Sequence, residues 1–340
     1  MALDAKSRAT TETRRHRPPV VIAAALGAAL LCFELYLLLA WITGPNFQEV
    51  TAGPSDPPTW MKVAIRAAEV VCVVLAAALI YWFVVRPWRR ERRVPFDGLL
   101  VLAAMATSVY DPLNSYFHTW FAYNSYFVNY GTAMTEMPGW QSYNQPGEQI
   151  AWPIFFIPPL YAAIFLGVVA LGCAIMRWSY ARWPHVPVVG HLGICFAVIF
   201  VVDTVLEGPV VMRLGYYDHT GWSFPFLDGY YGHNALKNII FVAVCVTAAS
   251  WLRFHRNDRG ETFVERGASR FGDTGLKVTG IRFLAVYAAM QAILLFGYHV
   301  PIAVGTLLQP ENPWHPSMVE HSFLNDHLCG VGTPRDCPPN

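Results

Sequence analysis

Residues 188–211 read VVGHLGICFAVIFVVDTVLEGPVV. As a helix this run is long enough to cross the roughly 30 Å hydrocarbon core of a bilayer, so it predicts a membrane span. Yet its second half carries Asp203 and Glu207. At a spacing of four, both carboxylates leave one helix face a turn apart. An ionisable group in hydrocarbon costs roughly 2.5–3.5 kcal/mol even on lenient insertion scales. Two on one face must therefore look into the bundle or a wet cavity, and the stretch reads as one wall of a site.

The rest of the chain agrees with a membrane setting. Of its 340 residues, 54% are hydrophobic and only 14% charged, against about 25% charged in an ordinary soluble domain. Seven apolar runs, near 20–42, 60–85, 96–116, 151–176, 188–211, 234–252 and 280–300, predict an all-α polytopic bundle. The run from Pro18 to Ile42 is too long for a signal-peptide core and lacks a small-x-small cleavage site, so it reads as an uncleaved first helix. Prolines 54, 57, 58, 87, 184 and 187 fall in connections, while Pro158-Pro159 lies inside the fourth run and predicts a kink. The domain plan is a basic tail over 1–19, one transmembrane domain over 20–300 with the 112–150 connection as a cap, and a tail over 301–340.

Charge placement fixes an expected orientation. Most of the 24 Lys and Arg residues fall in four segments: the N-terminal tail, 86–93, 177–182 and 253–282. The alternate connections hold few, so the positive-inside rule places the N-terminus inside and the C-terminus outside. A net charge of +1 gives no sign of a nucleic-acid partner.

The connection from Pro112 to Ile150 has no Lys or Arg but is crowded with aromatics, among them Tyr116, Phe117, Trp120, Tyr123, Tyr126, Tyr130 and Trp140. It reads as an amphipathic cap against the outer membrane face, or as a generic interfacial belt. Cys32, Cys72, Cys173, Cys195 and Cys245 read as buried packing residues. Cys329 and Cys337, in the tail on the oxidising side, read as a disulfide in preference to a metal pair.

Placed by depth, the in-membrane polar residues gather in one outer layer. Glu34, Glu69, Asp111, Asn114, His118, Asp203, Glu207, Asn238, Gln291 and His299 all belong to it, and the inner halves of the runs are nearly free of charge. Blander roles exist: Arg66 and Glu69 can neutralise each other, Lys237 can snorkel, and His299 before Pro301 can end a helix. There is no Walker A, GxGxxG, HExxH or CxxC pattern and no internal repeat. Carboxylates, aromatics and a histidine in a shared cavity suit acid–base chemistry through a cation. One carboxyl group donates a proton, another in its ionised form steadies the positive charge, and aromatic faces assist.

Several stretches resemble one family. They are Phe96-Asp97-Gly98, Tyr126-Phe127-Val128-Asn129-Tyr130-Gly131 with Pro138-Gly139-Trp140, Ala181-Arg182-Trp183-Pro184 and Asp203 to Gly208. Further along come Asp258-Arg259-Gly260, Val264-Glu265-Arg266-Gly267, Arg282-Phe283-Leu284-Ala285, Tyr298-His299-Val300-Pro301 and the Cys329/Cys337 tail. Together they are similar to the AveC-type family, the membrane spirocyclase/dehydratases of avermectin biosynthesis and their actinobacterial relatives. The resemblance implies a multi-pass protein of the bacterial cell membrane that closes a lipophilic polyketide ketone-diol into a spiroketal, with or without dehydration of the ring, and needs no cofactor; the residues themselves show no metal motif. The family supplies no catalytic residues to carry over; from the residues themselves Glu207 is the acid and Asp203 or Asp111 the stabilising anion, with Glu34 and His299 as further catalytic candidates. Glu69, Asn114, His118, Tyr126, Asn129, Tyr130, Trp140, Asn238 and Gln291 are candidates for substrate contact. A terpenoid or lipid cyclase or isomerase, and a non-enzymatic carrier or receptor, are the competing functions.

Overall fold

The computed structural model describes residues 18–142, 148–221, 231–232, 235–308 and 316–329. Seven of its helices are long and apolar enough to cross a membrane. They are α1 (Pro19–Thr43), α2 (Thr59–Glu91), α3 (Phe96–Ser115), α4 (Ile157–Arg182), α5 (Val188–Leu214), α6 (Leu236–Phe254) and α7 (Leu276–Leu307). The chain is a polytopic all-α bundle. α1, α2 and α5 turn many apolar side chains outward, including Leu39, Val70, Val74, Val201 and Val205, as helices facing lipid do.

Small residues set the closest approaches. A Cβ on Gly27 of α1 would sit 2.0 Å from the Leu284 carbonyl oxygen of α7, and one on Gly172 of α4 would sit 2.1 Å from Ser250 Oγ of α6. Without lipid-driven hydrophobic gain between helices, such close backbone contact is a main source of association. Cys72, Cys173, Cys195 and Cys245 are buried free thiols, but Cys32 is exposed on α1. Its expected burial fails because α1 packs along one face only.

Prolines act differently from the sequence expectation. Pro158 and Pro159 open α4 instead of kinking it, because a helix's first turn has no N–H bond to lose. The fourth apolar run therefore starts with irregular backbone over 151–156, and the helix begins only at Ile157. Within the spans, three π-turns occur, at Tyr81–Val85, Glu207–Val211 and Leu295–His299. Each holds a proline or precedes one by two residues: Pro87, Pro209 and Pro301. Widening the turn relieves the clash between a proline ring and the carbonyl four residues back. The device also lets α7 run past Pro301 to Leu307, so the helical domain continues beyond residue 300.

One end of the bundle is a cap with its own apolar core. Strand β1 (Phe121–Tyr123) pairs antiparallel with β2 (Tyr217–His219), with Phe121 opposite His219 and Tyr123 opposite Tyr217. Trp120, Phe127, Met134 and Ile150 are fully buried there, so the aromatic connection is a folded layer and not an interfacial belt. The tail joins it. Ser125 N–H donates to the Phe323 carbonyl at 2.9 Å, Ser55 N–H donates to Ser322 Oγ at 2.8 Å, and Ser317 Oγ donates to Asp218.

The opposite end is closed by a charged clasp. Asp97 at the start of α3 takes a two-pronged ion pair from Arg253 at the end of α6, at 2.7–2.8 Å. Glu265, fully buried, binds Arg282 of α7 at 2.7 Å, and Arg282 also donates to the Val94 carbonyl at 2.8 Å. Thr262 and Glu265 form a reciprocal capping box. The DRGETFVERG connection thus ties α7 to the α2–α3 turn and, through Val20 N–H donating to the Arg266 carbonyl at 3.3 Å, to α1.

Candidate active site

A cavity of about 150 Å³ lies where the cap meets α3, α4, α5, α6 and α7. Its wall is mostly apolar, with Phe121, Ile157, Leu160, Ile164, Phe165 and Leu294 among the lining residues. Into it converge three carboxylates: Asp111 from the last turns of α3, and Asp203 and Glu207 from α5.

The three are held differently. Asp111, on a tight 3₁₀ segment, accepts hydrogen bonds on both oxygens, from the Tyr123 hydroxyl of β1 and the Tyr161 hydroxyl of α4. Glu207, at the first position of a π-turn, accepts from the Tyr217 hydroxyl of β2 on Oε1 and from Asn238 Nδ2 of α6 on Oε2, the latter at 2.8 Å. Asn238 is itself oriented by the Tyr298 hydroxyl, which donates to its Oδ1 at 2.5 Å. Tyr298 belongs to the π-turn of α7. By contrast, Asp203 Oδ2 is buried with no hydrogen-bond partner among the described residues.

Donors on both oxygens are the arrangement that suits an ionised carboxylate. The two cap phenols are built to stay donors. Burial, and then the neighbouring Asp111 and Glu207 respectively, push the Tyr123 and Tyr217 hydroxyls far above their ordinary value, since a phenolate beside a carboxylate in an apolar site is doubly disfavoured. The cavity therefore offers two carboxyl groups with donors on both oxygens, one without them and several aromatic faces.

The structure gathers Asp111, Asp203, Glu207 and Asn238 at the cavity and places the other sequence candidates elsewhere. Glu34 of α1 is buried against α7, accepting from the Tyr287 hydroxyl at 2.5 Å and Gln291 Nε2 at 3.3 Å. Gln291 is thereby committed to Glu34. His299 is fully buried behind the cavity wall, its Nδ1 2.6 Å from Asn114 Oδ1, so those two hold each other. Glu69 bolts the cap to α2, pairing with Arg66 at 2.6 Å and accepting from Val128 N–H at 2.7 Å. Asn129 knits the cap by accepting from Val50 N–H at 3.0 Å and donating to three carbonyls. Tyr126 lies under the Arg66 guanidinium, Tyr130 stacks on Phe47, and Trp140 meets Tyr116 edge to face. His118 is exposed on the cap. Cys329 takes part in a disulfide, and Cys337, its expected partner, lies outside the described residues.

The tyrosines and the histidine that line the cavity, Tyr123, Tyr161, Tyr217, His219 and Tyr298, were not among the sequence candidates. Tyr123, Tyr217 and His219 meet only through the β1–β2 pairing, which joins segments far apart in sequence. Tyr298 had a readable signal, a proline three residues on inside an apolar run, which marks a widened turn that re-aims side chains.

Comparison with curated proteins and with solved structures gave no match. The sequence profile of a family described as "Spirocyclase AveC-like" matches residues 91–320, which take in the clasp, most of the cap and all three cavity carboxylates. The match spans more than half of the chain, and the chain belongs to the AveC-like spirocyclase family.

Proposed function

We propose that this protein is a multi-pass enzyme of the bacterial cell membrane that closes a lipophilic, polyketide-like ketone-diol into a spiroketal by acid catalysis. The expected orientation puts the N-terminus inside and the cap and cavity at the outer side. One observation carries the mechanism: of three carboxylates meeting in one apolar cavity, two are braced as anions and the third is not. That pattern moves the acid from Glu207 to Asp203.

In this reading one substrate hydroxyl adds to the ketone to give a hemiketal. Asp203 protonates the hemiketal hydroxyl, the C–O bond breaks and water leaves, generating an oxocarbenium ion. Asp111 and Glu207 face that cation without needing to reorganise, which is where electrostatic catalysis is strongest. The second hydroxyl then attacks the cationic carbon and returns its proton to Asp203. The net change is loss of one water, and loss of a ring proton from the cation instead would give the dehydrated product.

The test is turnover of a synthetic dihydroxyketone by the full chain in vesicles, followed by loss of substrate and appearance of spiroketal. Asp203→Asn should lower kcat by about 10²–10⁴, the usual share of a general acid, while expression and helix content stay normal. Glu207→Gln should also lose most activity, because a neutral amide cannot balance the cation. Near-normal product from Asp203→Asn would remove the acid assignment. Turnover of isoprenoid diols in place of dihydroxyketones would give the same residues to carbocation chemistry.

A further inference from the structure

The cavity is small for a polyketide. At about 150 Å³ it compares with an apolar cavity that holds a benzene-sized guest, and lies below the roughly 300–1,000 Å³ of ordinary ligand pockets. It has room for the reacting carbon and the ring forming at it and not for a long chain attached to them, so the rest of such a substrate needs a way out of the wall.

Of the described residues that line the cavity, Ile164 of α4 is the exposed one, and it lies beyond the point where α4 and α5 are locked together. Toward the clasp end these helices are locked together. Ser179 Oγ lies 2.6 Å from His191 Nδ1, Cys195 Sγ reaches the Gly172 carbonyl at 3.8 Å, and Ile175, Met176, Cys195 and Ile199 share one apolar cluster. That cluster reaches Val168 on α4 and Phe200 on α5. Beyond them the space between the two helices is the cavity itself, with Leu160, Tyr161 and Ile164 on one side and Asp203 and Glu207 on the other.

Ile164 lines the cavity and is also 38% exposed on the outer surface. Leu160, Ile164, Gly167 and Leu171 share one face of α4, by helical spacing. The first two belong to the cavity and the last three are exposed. The face therefore runs unbroken from the carboxylates to the lipid-facing surface. Gly167 leaves it shallow, since a Cβ there would meet nothing within 4 Å. On α5, Leu206, next to Glu207, is exposed and apolar.

We propose that the gap between the cap-end halves of α4 and α5 is a side entrance from the bilayer. It admits a long lipophilic substrate, whose unreactive alkyl chain stays in the Ile164–Gly167–Leu171 groove while its oxygenated segment reaches Asp203. This rests on the spirocyclase reading for the identity of the oxygenated segment, and on the groove alone for the chain.

The experiment uses Gly167→Trp, which fills the groove without a clash in the helix, in the full chain reconstituted in phospholipid vesicles. Two substrates are compared, a short symmetric dihydroxyketone and the same head carrying a long alkyl chain. For the chained substrate kcat/KM should fall by about tenfold or more, with the short one changed less than about twofold. Equal effects on both, or none on either, would overturn the entrance. If neither substrate is turned over by the unsubstituted chain, the spirocyclase reading has failed, and photolabelling decides the entrance independently. A fatty alcohol with a diazirine in its chain should then mark Ile164 and Leu171 above lipid-facing Val70 and Phe296, and lose that preference in Gly167→Trp. Even labelling of all four positions would overturn it.

Discussion

Asp203 and Glu34 show how two buried acids in one bundle come to differ. Both sit in apolar helices, and both must be satisfied or used. Glu34 is satisfied, since Tyr287 and Gln291 close over it away from the cavity. Replacing it by Gln should leave turnover within about twofold and cost about 0.5–1.5 kcal/mol of stability, the net worth of a typical intramolecular hydrogen bond. Turnover beside thermal unfolding in detergent checks this, and a large loss of kcat with normal stability would return Glu34 to the reaction. Asp203 has no such partner on Oδ2, which is why a change there is expected in kcat and not in folding. Glu69 is a third case: its bonds to Arg66 and Val128 make it a fastening of the cap.

At the level of elements, the π-turns decide which side chains reach the cavity. Glu207 opens one and Tyr298 lies in another. In each the closing N–H bonds five residues back, Met212 to Glu207 and Val300 to Leu295. Pro209 enforces the first because it has no N–H to offer Val205. Pro209→Ala permits a regular turn, which re-aims everything that follows it by a fraction of a turn and draws Tyr217 off Glu207. We expect kcat to fall by about tenfold with insertion and expression unchanged, since π-turns are commonly retained for function and not for stability. Unchanged kinetics in that variant would mean the turn is incidental.

For the whole molecule, the cap is held down by the tail, and one buried carboxylate makes that docking depend on pH. Asp326 is fully buried outside the spans, with one oxygen unpartnered among the described residues and the other accepting only from Ala151 N–H at 3.4 Å. Burial raises it well above its ordinary value, the bond from Ala151 opposing only weakly. A raised carboxyl binds its proton more tightly in the docked state than in the undocked one. Its contribution is therefore complete below the ordinary carboxylate range and is lost as pH rises through the raised value. Hydrogen exchange of residues 316–329 should quicken as pH rises from the ordinary carboxylate range through the raised value, after correction for intrinsic exchange, and Asp326→Asn should flatten that dependence. A dependence unaltered by Asp326→Asn would clear the residue.

The sequence by itself determined the seven apolar helices, and the set of polar residues within them from which the candidate site is drawn. Both follow from local physics: a run of apolar residues is a span wherever it lies, and a charge within it must face inward. It also showed Asp203 and Glu207 on one face, because helical spacing is local. Which members of the polar layer share a cavity was decided only by the tertiary structure. Helix rotation is set by neighbours such as Gly27 against Leu284 and Gly172 against Ser250, and this turned Glu34 and His299 away from the cavity. The tyrosines that brace the anions came from β1 and β2, residues 121–123 and 217–219, and no local pattern announces a pairing between segments so far apart. In the proposed mechanism the acid is told from its counter-ions by which carboxylate those tyrosines reach, and that contact belongs to the folded chain alone.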